Sequence, residues 1–310
     1  MSSKLVVFGA TGQQGSSIIT TVLTHPTLSK RYSVRGITRN VAHPKALSLA
    51  ARAKSIELVE ADLDDPSTLP AALKNAHTVI LITETIYAAD LKEREARQGK
   101  AVADAAVAAG AEFFIFSTAA HASKLWDGGP VDQFDSKAEV EEYIRGLRFK
   151  QSAFIAPGMF MQNLTRGMAP RKQDDGSYAI IGVNDPHVKI PLIETVADTG
   201  LYVVPLLKDP EGMNGRVMHA ATGLYSFSEI AEIISRVSGE TVKYVQIAGE
   251  VYAGFMKEEQ GARMVSMMRF VDNPGYYGPR TEELVRETVE LVEGKLTTVE
   301  EFAQENFTQL

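Results

Sequence analysis

The residues with the plainest chemical use lie near the start of the chain. Gly9-Ala10-Thr11-Gly12-Gln13-Gln14-Gly15 follows the apolar run Leu5–Phe8 and opens a helical pattern over 12–23, in which Ile18, Ile19, Val22 and Leu23 share one face. Gly9 permits a tight turn, Gly12 lets the backbone approach a pyrophosphate, and Gly15 lets the helix pack close to the strand. The first N–H groups of a helix have no partner within it and point at whatever anion sits before them. Thr11, Gln13 and Gln14 add side chains at the same edge. The spacing predicts a dinucleotide site.

Sites of this kind that take NAD usually carry Asp or Glu at the end of the second strand, where it binds the ribose 2′-hydroxyl. Here Gly36-Ile37-Thr38-Arg39-Asn40 stands at that tip, with Arg39 24 residues after Gly15 and no acid beside it. A guanidinium makes bidentate, charge-assisted bonds to phosphate, so Arg39 points to NADP(H); the plain alternative is a solvated surface arginine. Asp62 ends a third strand in Glu60-Ala61-Asp62-Leu63. It either accepts a bond from the adenine amino group or caps the helix starting near Pro66. Thr83, just past the fourth strand, is placed with the cofactor residues.

Proton chemistry needs a positioned acid or base. The Tyr-x-x-x-Lys pair of common short-chain dehydrogenases is missing, because Gln133 stands four residues before Lys137. Lys137 shares the inward stripe of Val140, Tyr143, Ile144 and Leu147 at the end of its helix that faces the sheet's carboxyl edge. It either faces the cofactor and trades protons, or forms a surface ion pair with Glu141, worth about 0.3–0.5 kcal/mol. Ser117 and Thr118 end the fifth strand, where their hydroxyls either reach a nicotinamide or substrate carbonyl or serve ordinary turn chemistry. His121 is read as an assistant in proton transfer or as a structural loop histidine. Pro157 and Phe160 follow the sixth strand, and Phe160 and Met161 pack on the nicotinamide or in the core. Trp126, Met168, Tyr252, Phe255 and the run 264–269 are further candidates for a pocket wall. The histidines show no i, i+4 pairing of the metal-ligand kind.

The elements that must position these groups follow from periodicity. Apolar runs at 5–8, 33–38, 56–59, 78–82, 113–117 and 152–155 read as strands. Helical patterns at 12–23, 44–53, 66–73, 91–109 and 136–147 alternate with them. That alternation predicts an α/β, doubly wound parallel sheet of Rossmann type over residues 1–156. Residues 157–310 read as a smaller C-terminal α/β lobe for substrate or partner, with some segments returning to the sheet. Two capping boxes mark helices in it, Ser226 with Glu229 and Thr298 with Glu301.

Composition bounds the rest. At 310 residues the chain can bury a large core. Its net charge of −7 argues against direct nucleic-acid binding, and the absence of cysteine excludes disulfides and thiolate metal sites. No apolar stretch approaches the ~18–20 residues of a membrane span, and the N-terminus lacks a signal-peptide pattern, so the expected location is the cytoplasm, or the nucleus. A monomer or homodimer is expected.

The glycine turn, Thr38-Arg39-Asn40, Glu60-Ala61-Asp62-Leu63, the segment Phe134-Asp-Ser-Lys137-Ala-Glu-Val-Glu-Glu-Tyr143 and Ala156-Pro-Gly158-Met-Phe-Met-Gln-Asn163-Leu together resemble the NmrA-like family, a branch of the atypical short-chain dehydrogenase/reductase superfamily. The resemblance runs over almost the whole chain, including Ile193-Glu-Thr-Val-Ala-Asp198. It implies a Rossmann fold and NADP as cofactor. For activity it implies a shortlist: a reductase of a small apolar or aromatic molecule, of the isoflavone, quinone or fungal natural-product tailoring kind; an NADP(H) redox sensor regulating a protein partner; or an enzyme using the cofactor non-redoxly. In isoflavone-reductase-like relatives the lysine in a similar Phe-x-x-Lys context is the general acid/base, which would be Lys137 here.

Overall fold

The computed structural model describes residues 2–310. The first half runs β1 (Ser3–Phe8), α1 (Gln13–Thr24), α2 (Leu28–Arg31), β2 (Tyr32–Thr38), α3 (Pro44–Arg52), β3 (Glu57–Glu60), α4 (Leu69–Ala72), β4 (Thr78–Leu81), α5 (Leu91–Ala108), β5 (Phe113–Ser117), α6 (Ala122–Leu125), α7 (Asp132–Arg145) and β6 (Gln151–Pro157). The second half continues with β7 (Met159–Phe160), β8 (Arg171–Lys172), β9 (Tyr178–Gly182), β10 (Ile190–Ile193), α8 (Thr195–Lys208), β11 (Val217–Ala220), β12 (Gly223–Tyr225), α9 (Phe227–Ser238), β13 (Val242–Gln246), α10 (Gly249–Ala253), α11 (Glu258–Asp272), α12 (Thr281–Val289) and α13 (Val299–Asn306).

Seven strands form one sheet in the order β11-β6-β5-β4-β1-β2-β3, every pair parallel. Strands this apolar can be buried on both faces, as a doubly wound sheet requires. Alternation along β1 shows how: Leu5 and Val7 join Ile18, Ile19, Tyr202 and Val203 from α1 and α8 on one side. Val6 and Phe8 join Val102, Val140 and Ile144 from α5 and α7 on the other. The chain leaves β1 toward β2 and β3 and then crosses back to β4, β5 and β6. A crevice therefore opens at the carboxyl ends of β1 and β4, the topological switch point.

Two three-stranded sheets, β12-β10-β7 and β13-β9-β8, belong to a smaller lobe with its own core, including Ile180, Leu192, Phe227, Ile234, Phe270 and Phe302. β11 and α8 come from the same half of the chain but lie with the large sheet. Both capping boxes form, and Gly239 ends α9 in the left-handed conformation, φ 76°. Two helices differ from the periodic pattern. α7 begins at Asp132, four residues before the apolar stripe suggests, and 66–73 splits into a 3₁₀ turn and the short α4. No helix among the described residues is long and apolar enough to cross a membrane.

Candidate functional site

The glycine turn sits at the switch point. Gly9 has φ +73°, a conformation that favours glycine, and a Cβ there would lie 2.9 Å from the Ile82 carbonyl oxygen. Gly15 is tighter: a Cβ would stand 2.2 Å from the Gly9 oxygen, so α1 can lie against the turn only without a side chain at that position. Gly12 differs from both. Its backbone is extended, and a Cβ would meet only the Gly9 oxygen, at 3.2 Å. Gly12 is also the N-cap of α1 and gives it no side-chain cap, and the first turn contains no acid. The helix thus presents uncapped N–H groups and no competing negative charge, an arrangement that fits a pyrophosphate. Gln13 and Gln14 form the first helical positions. Gln14 also reaches across the sheet, where Ser117 Oγ donates to its Oε1 at 2.9 Å.

Beside the turn lies a cavity of about 290 Å³, with Thr11 and Ser16 on one wall and Lys45, Ser48 and Arg52 of α3 on the other. Neither Lys45 nor Arg52 has a carboxylate partner among the described residues. Sequence reasoning missed these three residues of α3. The available signal was their spacing at i, i+3 and i+7, one face of the helix that follows the Arg39 tip. Arg39 itself is largely exposed and makes an ion pair with Glu84, 3.2 Å away. Arg39 lies just past β2 and Glu84 just past β4, so the pair spans the carboxyl end of the intervening β1. Asp62 turns its carboxylate back to its own loop, accepting from the Asp64 N–H at 3.0 Å. The cap on the turn at Pro66 belongs to Asp65, which accepts from Ser67 N–H.

At the other end of the crevice the central group is Glu95 of α5, a residue the sequence did not single out. It is 2% exposed. Ser136 Oγ donates to it at 2.6 Å and Thr83 Oγ1 at 2.7 Å, and the Lys137 ammonium forms an ion pair with it. Lys137 Nζ also donates to Thr85 Oγ1 at 2.6 Å. Burial pushes the Glu95 carboxyl up, but the charge and hydrogen bonds of Lys137, together with Ser136 and Thr83, outweigh it and hold the group below its ordinary value. The ion pair with Glu141 does not form, since Glu141 pairs with Arg145. Thr83 spends its hydroxyl on this cluster.

Thr118 is buried, its N–H bonded to the Ile155 carbonyl. His121 places Nδ1 3.0 Å from Glu142 Oε1 of α7, and both Thr118 and His121 line a second cavity of about 220 Å³ with Ala156, His219 and Tyr277. Pro157 is half-buried, and Phe160 packs partly buried against the large core. Met161 is fully buried, and Trp126 packs against Phe270 in the smaller lobe's core. Phe255 is exposed. From α11, Arg263 donates to the Ala88 and Ala89 carbonyls, tying the second lobe to the segment that follows β4.

This arrangement has relatives. The model of the NmrA-like family matches residues 1–303. An NmrA-like family domain-containing protein of Dictyostelium discoideum is 30% identical over 253 residues, covering 79% of this chain and 80% of its own. The NmrA-like family domain-containing oxidoreductase malD of Malbranchea aurantiaca is 28% identical over 258 residues, 78% of this chain and 75% of its own. Among solved structures, NmrA, a negative transcriptional regulator, in complex with NADP, shares the fold with a TM-score of 0.82 at 23% identity, over 99% of this chain and 95% of that one. Since the family model extends from the first residue through α13's Ala303, and the large sheet, the glycine turn and the smaller lobe all fall within it, the chain belongs to the NmrA-like family.

Proposed function

We propose that the protein is an NADP(H)-dependent oxidoreductase acting on a small apolar or aromatic molecule in the cytoplasm. The observation that carries this is the uncapped, acid-free start of α1 at the glycine turn, set beside a cavity walled by two cations without carboxylate partners among the described residues. The oxidoreductase name of one relative and the NADP complex of the solved NmrA support it. In this reading Gly9, Thr11, Gly12, Gln13, Gln14 and Gly15 hold the pyrophosphate, Arg39 and Lys45 take the 2′-phosphate, and Asp62 lies at the adenine. Thr83, Ser117, Pro157 and Phe160 form the nicotinamide end, where Lys137 supplies a fixed donor. A reduced nicotinamide supplies a hydride when bound. In the same reading Thr118 and His121, which line the second cavity, orient a substrate carbonyl and hold the proton it needs, and Glu142 fixes the imidazole that would do so.

A second reading is a non-catalytic NADP(H) sensor that regulates a protein partner. Two observations favour it: the Tyr-x-x-x-Lys pair is missing, and Lys137 is tied into a buried cluster. The test is NADPH oxidation against a panel of quinones, enones and imines. Turnover with any of them is the expected result. Tight NADPH binding with no turnover, together with a partner that distinguishes NADP⁺ from NADPH, would put the sensor in its place.

A further inference from the structure

We propose that Glu95 is a positioning residue of the site, fixing Lys137 and the segment after β4 in their working arrangement. This rests on the reading that Lys137 serves the nicotinamide end of the cofactor.

The argument begins with cost. A carboxylate that is 2% exposed must be paired and hydrogen-bonded to be tolerated at all. Glu95 meets that demand with groups from two separate stretches of chain: Thr83 and Thr85 after β4, and Ser136 and Lys137 on α7, all converging on one side chain of α5. A well-packed apolar side chain would join α5 and α7 without burying a charge. What the carboxylate adds is direction. An ammonium has three donors, and Glu95 and Thr85 take two of those of Lys137. The lysine side chain stays 16% exposed, so it is held at its ammonium without being sealed from solvent. Without Glu95 the same side chain would sample many rotamers, at a cost in entropy each time it met a ligand. Thr85 bonds to both partners and thereby ties the post-β4 segment to the pair. That segment also carries Glu84, the partner of Arg39, and the carbonyls gripped by Arg263.

The experiment uses Glu95→Gln in the full chain, which keeps shape and an acceptor oxygen but removes the charge. Lys137 is labelled with N-hydroxysuccinimidyl acetate, without cofactor and with saturating NADPH, and its acetylation rate is followed by mass spectrometry. Labelling should rise roughly tenfold in Glu95→Gln, the equivalent of one charge-assisted bond, and NADPH should protect Lys137 in the wild type but not in the variant. NADPH affinity is then measured in Glu95→Gln, Lys137→Met and the double variant. Each single change should weaken binding, and the double should be no weaker than the worse single. Unchanged labelling, or effects on affinity that simply add, would overturn the proposal. If Glu95→Gln does not fold, Ser136→Ala removes one donor and leaves the ion pair. It should shift labelling the same way by a smaller factor, and no shift would count against the role. Failure of the wild type to bind NADPH would instead overturn the cofactor reading, while cofactor-free labelling still decides whether Glu95 holds Lys137.

Discussion

Arg39 already has a partner before any phosphate arrives. Its pair with Glu84 is exposed on both sides, and such pairs contribute about 0–1 kcal/mol. A 2′-phosphate offers more charge and a bidentate geometry, so it should displace the carboxylate. Glu84 then becomes a competitor for the guanidinium and a like charge near the phosphate. Arg39→Asp should weaken NADPH far more than NADH. Glu84→Gln should do the reverse, tightening NADPH by about two- to fivefold with little change for NADH, in keeping with the loss of one exposed pair. Fluorescence titrations of both variants with both cofactors check this, and parallel shifts for the two cofactors would remove Arg39 from the phosphate site. Arg39 was legible in the sequence because it sits at a fixed place after a fixed strand. Glu84 was not, because its nearness follows from β4 lying beside β1, a consequence of strand order that no local pattern records.

In the proposed reading the element that binds is the turn joined to α1, and its glycines do different work. At Gly15 an added Cβ would strike backbone, which has no rotamer to yield, so Gly15→Ala must shift the helix. It should lose about 1–3 kcal/mol of stability, the usual cost of overpacking, and lose cofactor binding with it. Gly12 has an ordinary extended backbone, and a Cβ there would press on one atom only, the Gly9 oxygen at 3.2 Å. Gly12→Val should therefore cost less stability than Gly15→Ala yet fail to bind either cofactor. Thermal melts beside titrations separate the two, and retained NADPH binding in Gly12→Val would place the pyrophosphate elsewhere. The strand–turn–helix unit could be read in advance because each part is dictated by its own residues. The partner of Lys137 could not. Glu141 is the local choice, one helical turn away, but Arg145 stands a further turn on and takes it. Glu95 comes from α5, and only the packing of α5 on α7 makes it a neighbour. The early start of α7 has a similar origin: Gln133, Phe134 and Asp135 are buried by surrounding structure, which the stripe of the later turns does not reveal.

Across the whole molecule, the two halves of the chain share one core. α8 lies so close on α1 that a Cβ at Gly200 would stand 2.0 Å from Thr21 Oγ1, and the Gly200 N–H donates to Ser17 Oγ. At the far edge β11 closes the large sheet and brings His219 with it. The ring of His219 packs edge-on against Tyr277, 4.8 Å between centroids, and its backbone N–H donates to Thr288 of α12. Burial, reinforced by the Arg280 and Arg216 charges, pushes the imidazole down to about 4 from its ordinary 6.5. In the unfolded chain the same ring takes a proton near 6.5. Between those values the unfolded state binds the proton and the folded state does not. The stabilisation is therefore fully present above about pH 6.5 and is lost as the pH falls toward 4, with an upper bound of roughly 3 kcal/mol for the whole window. His219→Phe keeps an aromatic ring against Tyr277 and removes the titration. Carboxylates such as Glu95 also lose their contribution in acid, so the informative quantity is the difference between the two proteins. Melting temperature measured from pH 7 to pH 4 should fall more steeply in the wild type than in His219→Phe, with the gap growing below pH 6.5. Parallel curves would mean that β11 joins the sheet at no cost in buried imidazole, and that acid acts on this fold through its carboxylates alone.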